Sequence, residues 1–201
     1  MSASQNSRQV YVWDRMVRFF HWSVLVIVVA IYVTGESGMQ YTHELIGYGL
    51  SVLLAVRFAW GWIGSGHARF HSFIQSPSQV LRYFSSIVRG QPKHYLGHNP
   101  AGGAMVLALL VTLTLMVVSG LVILATIEFE GPLVAVLHNV TDQTAYLWFE
   151  LHELALDILF VLIAMHIAGV AVASVQHREN LPRSMITGYK STTNEGLGNE
   201  S

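Results

Sequence analysis

The chain has 201 residues, of which 52% are hydrophobic and only 11% charged, with a net charge of −1 and a mean hydropathy of +0.46. A soluble domain carries about 25% charged residues, so the deficit places the chain in a membrane. Near-neutral charge argues against nucleic acid as a partner, and the lack of cysteine excludes disulfides, thiolate metal sites, iron–sulfur clusters and haem attached through Cys-x-x-Cys-His.

A short polar segment with Arg8, Asp14 and Arg15 leads into the first apolar run, residues 16–34. No small-residue cleavage site follows it, so it is expected to stay as a membrane helix and not to be a cleaved signal. A tight turn around "TGESGMQYT" leads to the second run, 43–63. The third and fourth are 104–127 and 152–175. Each is long enough for a helix to cross about 30 Å of hydrocarbon. The fold class expected is all-α: an up-down four-helix membrane bundle forming one domain over 1–190. The polar stretch 191–201, rich in Gly and Ser, is expected to be disordered.

Between the second and third runs, "SPSQVLRYFSSIVRG" offers Ser76 as N-cap, Pro77 at the first helical position and Gln79 for a capping box. Val80, Leu81, Phe84, Ile87 and Val88 make one apolar stripe, Gly90 can end the helix, and Arg82 and Arg89 flank it. These features predict a short amphipathic helix in the membrane interface. "LVAVLHNV", between runs three and four, is a weaker case of the same kind.

All eleven Lys and Arg residues lie before or at the start of run one, in or after the second half of run two, or after run four. The other two connections contain none. By the positive-inside rule both termini and the central loop are cytoplasmic. The opposite face carries Glu36, Glu44, Glu128, Glu130, Asp142, Glu150 and Glu153 and is acidic.

Of ten histidines, His67, His71, His94 and His98 read as solvated loop residues, and His138 and His177 as surface groups. His21, His43, His152 and His166 sit within or at the rim of apolar runs, where hydrocarbon cannot solvate an imidazole. Helix direction sorts them into two depths, His21 with His166 and His43 with His152. Fourteen residues separate His152 from His166, a rise of about 21 Å and a turn back to within about 40°. One helix face therefore presents two imidazoles, each opposite a partner on another helix. Two such pairs suit two bis-histidyl haems better than zinc, which takes three or four protein ligands.

Gly47, one turn after His43, would leave room for a porphyrin. Arg57 lies at the depth of the inner pair, where it either neutralises haem propionates or snorkels to the inner headgroups. Arg18 can act likewise on propionates. Asp157 either bonds a neighbouring helix or helps move protons. For a quinone, the candidates are Asp14, Arg15, Arg18, His177, Arg178 and Asn180.

The stretches "VYVWDRMVRFFHW", "HELIGYGL", "RFAWGWIGSGHARFHSF", "YLGHNPAGGAM" and "MHIAGVAVASVQHRENLPRSMITGYK" resemble the bacterial cytochrome b561 and hydrogenase-type cytochrome b subunit family over about residues 10–190. The resemblance implies an inner-membrane bundle with two non-covalent haems b, their axial ligands at His21, His43, His152 and His166. It implies electron transfer between the quinone pool and a redox partner such as an oxidoreductase subunit, and the acidic outer face suits a basic periplasmic partner such as a soluble c-type cytochrome. One branch resembles a stand-alone superoxide oxidase, but an acidic outer face would repel an anionic radical. A haem-free, histidine-lined metal transporter is the alternative from a different class.

Overall fold

The computed structural model describes residues 8–90, 95–137 and 139–192. His94, His138 and residues 193–201 of the expected disordered tail lie outside them. Four helices are long and apolar enough to span a membrane: α1 (Arg15–Glu36), α2 (Gln40–Ile63), α5 (Pro100–Thr126) and α7 (Asp142–His177). Between α2 and α5 come a 3-10 turn (Gly66–Ala68), α3 (Phe70–Phe73) and α4 (Pro77–Val88). The short α6 (Val134–Leu137) precedes α7, and α8 (Leu181–Thr187) follows it.

The helix ends follow from local chemistry. Asp14 accepts a hydrogen bond from the Val17 amide at 2.8 Å and so caps α1. Gly38, at φ +66°, forms the turn into α2. The capping box expected at Ser76 and Gln79 is present, with Pro77 first in α4 and Gly90 at φ +71° beyond its end. Asn99 caps α5 through the Gly102 amide at 2.7 Å, and Asn180 caps α8 through that of Arg183 at 2.9 Å. Leu81 and Phe84 are exposed on α4, whereas Tyr83 is buried.

Two features depart from the sequence reading. α7 begins at Asp142, ten residues before the expected start of the fourth run at 152, because Gln143, Ala145, Leu147 and Glu150 favour a helix even where carboxylates interrupt the hydrophobicity. The chain also holds a short antiparallel ribbon, β1 (Arg8–Tyr11) with β2 (Tyr189–Thr192), pairing Tyr11 with Tyr189 and Arg8 with Thr192. Ser191 and Thr192 of the expected tail are therefore in a strand.

The described chain divides into two compact units. The first comprises the described residues within 1–23, 56–107 and 166–201. Its core includes Val12, Trp13, Ala68, Phe73, Tyr83 and Ser184. The indole of Trp13 donates to Ser184 Oγ at 3.2 Å, and the amides of Val12 and Trp13 both reach the Gly188 carbonyl. The second unit, 24–55 and 108–165, buries Leu50, Leu54, Leu110, Leu113, Met116, Leu124 and Leu159. Many large apolar side chains on the spanning helices stay exposed, among them Val26, Val52, Val111 and Ile167. Such surface is stable against lipid and not against water.

Candidate functional site

In the second unit, α2 carries His43 and α7 carries His152, their ring centres 6.5 Å apart. Each ring is anchored by Nδ1. His43 Nδ1 lies 3.0 Å from the Ile31 carbonyl of α1, which can only accept. His152 Nδ1 lies 2.8 Å from Ser119 Oγ of α5. Ser119 gives its own proton to the Leu115 carbonyl at 2.7 Å, so toward His152 the hydroxyl is an acceptor. Both rings therefore hold their proton on Nδ1 and leave Nε2 with a free lone pair, the tautomer that a metal requires.

Small residues make the anchoring possible. A Cβ on Gly35 would stand 3.1 Å from His43 Nδ1, and one on Gly120 would stand 3.4 Å from His152 Cε1. The two imidazoles border a cleft with ≈ 1050 Å³ of empty space, counting the part open to the surroundings. Its walls are largely apolar, with Val28, Leu50, Leu113, Val117, Leu156 and Leu159 among them. Gly47 also lines it, and a Cβ there would meet nothing within 4 Å. Gln40, Glu44 and Tyr48 bring polar groups to the cleft, with Gln40 Nε2 donating to Glu44 Oε1 at 2.9 Å.

In the first unit His21 of α1 faces His166 of α7, ring centres 6.3 Å apart. His21 Nδ1 is buried without a hydrogen-bond partner. Arg57 is only 5% exposed, so it does not snorkel to a surface. Its guanidinium lies 5.9 Å from the ring of Phe20 and 5.3 Å from that of Phe70. Nη2 reaches the Ala68 carbonyl at 3.3 Å, while the buried Nη1 has no partner. Arg18 donates through Nη1 to the Ile186 carbonyl, and its Nε is buried without a partner.

Spacing and donor set fit a haem. An imidazole nitrogen sits about 2.0–2.1 Å from a first-row ion and about 1.1 Å from its own ring centre, so two rings on opposite sides of one ion have centres about 6 Å apart. Both pairs meet that spacing. Among the described residues no group of three or more His, Cys, Asp or Glu could hold an ion, which leaves axial pairs and not a closed tetrahedral site. The unpartnered Arg57 Nη1 suits a carboxylate such as a propionate.

Sequence reasoning missed several site residues. Ser119 and Gly120 sit in the one run free of ionisable groups, and a Ser-Gly pair inside it was the only signal. His98 is not a solvated loop residue. It lies between Trp13 and Phe73, ring centres 4.7 and 5.1 Å away, with Nδ1 shut off from solvent and unpartnered. Burial, then the charges of Lys190, Arg57 and two histidines, push its pKa down to about 3. His71 is exposed.

Asp157 is exposed on α7 and makes no hydrogen bond among the described residues, so the expected bond to a neighbouring helix is not formed. The Asp14 carboxylate, besides capping α1, accepts from Trp60 Nε1 at 3.0 Å and from Ser65 Oγ. Burial acts to raise its pKa, but these hydrogen bonds outweigh it and hold the carboxyl below its usual range. Asp14 and Asn180 are thus engaged as helix caps, whereas Arg15 and Arg178 are exposed.

Comparison with known proteins agrees with this geometry. Residues 12–188 match the family model described as prokaryotic cytochrome b561. Three similar proteins share the name "Probable Ni/Fe-hydrogenase B-type cytochrome subunit". That of Bradyrhizobium diazoefficiens is 27% identical, covering 90% of this chain and 85% of its own length. That of Rhizobium leguminosarum bv. viciae is 25% identical (91% and 89%), and that of Rhodobacter capsulatus 24% (90% and 81%). No solved structure matches. With the match spanning nearly all of the chain, this protein belongs to the prokaryotic cytochrome b561 family.

Proposed function

We propose that the chain holds two non-covalent b haems, one between His43 and His152 and one between His21 and His166, and passes electrons between a redox enzyme and membrane quinone. The family makes it a membrane cytochrome b of electron transfer. The observation that carries the two-haem reading is the repetition of one motif: opposed imidazoles, ring centres 6.3 and 6.5 Å apart, on spanning helices.

When bound, a b haem supplies one-electron exchange at its iron. The chain's own residues do the rest. The Nε2 lone pairs of His43 and His152 face the cleft, while Ile31 and Ser119 hold the Nδ1 protons and fix the ring orientation. The apolar cleft walls exclude water. Arg57 offers an unshared donor to a propionate, and Arg18 a second. Quinone is assigned to the end of the bundle bearing Arg15, His177 and Arg178.

Charge supports an orientation with both termini in the cytoplasm of a bacterial inner membrane. The unit made of residues 24–55 and 108–165 has no Lys or Arg, so its outer parts suit a basic partner, either an oxidoreductase subunit, as the relatives' names suggest, or a c-type cytochrome. The same absence disfavours superoxide as a substrate.

The test is haem content and spectrum. Purified protein should show sharp reduced α and β bands and two extractable haems per chain. His43→Ala and His152→Ala should each remove the same haem, and His21→Ala and His166→Ala the other. A colourless protein, made with ample haem supply, would end the reading. If His43→Ala and His166→Ala removed one and the same haem, the pairing would be wrong.

A further inference from the structure

We infer that the two histidine pairs hold haems of unequal reducing power, the His43/His152 haem having the lower midpoint potential and the His21/His166 haem the higher, with Glu44 and Arg57 as the residues that set the order. The inference rests on the two-haem reading and adds to it a ranking and its cause.

The cause is the partition of charge between the two units. Residues 24–55 and 108–165, which hold His43 and His152, contain no Lys or Arg and eight carboxylates: Glu36, Glu44, Glu128, Glu130, Asp142, Glu150, Glu153 and Asp157. All eleven Lys and Arg residues fall in the remaining segments, which hold His21 and His166. Reducing an iron adds one negative charge at the site. Neighbouring carboxylates oppose that change and neighbouring cations favour it, most strongly where water is excluded. The ligands act in the same sense: His43 and His152 have hydrogen-bonded Nδ1 atoms, which makes them the more basic pair and favours the oxidised iron, whereas His21 Nδ1 has no partner among the described residues.

The local groups act in the same sense as the totals. Among the described residues Glu44 is the one carboxylate that lines the His43/His152 cleft; it accepts a hydrogen bond from the neutral amide of Gln40, and no cation among those residues pairs with it. Arg57 is buried beside Phe20, the residue before His21, and among the described residues no salt bridge consumes its charge. The acid that couples to it, Asp14, is already satisfied by Ser65, Trp60 and the Val17 amide. Glu44 acts on the iron through its charge, and Arg57 does so both directly and through the propionate it would hold.

The measurement is a spectroelectrochemical titration of the full-length, haem-loaded protein in lipid nanodiscs. Two reduction waves are expected. His152→Ala should delete the lower one and His166→Ala the higher, which assigns them without reference to turnover. Glu44→Gln should then shift the lower wave upward and leave the other in place. Arg57→Gln should shift the higher wave downward, and Arg57→Lys should restore it. If a histidine variant fails to accumulate, the Glu44 and Arg57 variants still decide, because each is predicted to move a different wave in a different direction. A reversed order, coincident waves, or two waves that both ignore these substitutions would overturn the ranking. Absence of any haem signal would instead remove the two-haem reading beneath it.

Discussion

The hydroxyl of Ser119 donates a hydrogen bond to the Leu115 carbonyl and in turn accepts one from His152 Nδ1–H, a relay of three groups that fixes one imidazole. Ser119→Ala breaks the relay and leaves a buried N–H without an acceptor, at a cost of about 1–3 kcal/mol. Losing such an outer partner typically weakens metal-site affinity at least about tenfold. On the two-haem proposal, haem transfer to apomyoglobin should accelerate accordingly in this variant, and the haem assigned to His21 and His166 should be unaffected. Gly47 tests the cleft from the other side. Gly47→Ala should load normally, since its Cβ meets nothing within 4 Å, whereas Gly47→Trp should fill the space and halve the haem-to-chain ratio. His98 makes a third prediction. Its pKa of about 3 in the folded state lies below the ordinary 6.5, so the unfolded chain binds the extra proton first. Its contribution to stability is intact above pH 6.5 and fades as pH falls toward 3, reaching a deficit of about 2 kcal/mol at pH 5. Thermal unfolding followed from pH 7.5 to 5 should show that decline, and His98→Phe should flatten it.

At the level of elements, α2 meets α3 more closely than two helices bearing ordinary side chains would allow. A Cβ on Gly61 would lie 2.2 Å from the Phe70 ring, so Gly61→Ala should destabilise by about 1–3 kcal/mol through overpacking, and Phe70→Leu in the same chain should recover part of the loss. Differential scanning fluorimetry in detergent reads both. Elements with strong local rules were legible beforehand. The cap at Ser76 and Gln79 needs only four adjacent residues, and the histidine pairing needs only helical pitch and the alternation of helix direction. What could not be read depends on distant or permissive features. At about 1.5 Å per residue, the 36 residues of α7 extend about 54 Å, well past a 30 Å hydrocarbon core. Hydropathy reports where lipid ends, and a helix does not have to end there. His98 looked like any polar loop residue because its burial is created by Trp13 and Phe73, remote in sequence.

For the whole molecule, the separation of charge was fully visible in the sequence, whereas the short ribbon was not. Four-residue strands carry too little pattern to announce pairing across almost the entire chain. The charge separation predicts how a partner docks. Electron transfer from a basic redox protein should be fastest at low ionic strength and slow as salt screens the attraction, with the Debye length shrinking from about 30 Å at 0.01 M to about 10 Å at 0.1 M. Stopped-flow reduction at a series of salt concentrations would show it, and a rate that rose with salt would argue for an uncharged or acidic partner. The ribbon bears on how the protein is made. Its first strand leaves the ribosome before the four spanning helices, but the segment it must join, Tyr189–Thr192, emerges only after all four. Trp13 likewise waits for Ser184 and Gly188. Membrane insertion can therefore run ahead helix by helix, yet the clasp between β1 and β2 closes only after the fourth spanning helix has been made. A ribosome stalled between the fourth spanning helix and Tyr189 would leave an inserted but unfastened chain, ready for a quality-control protease.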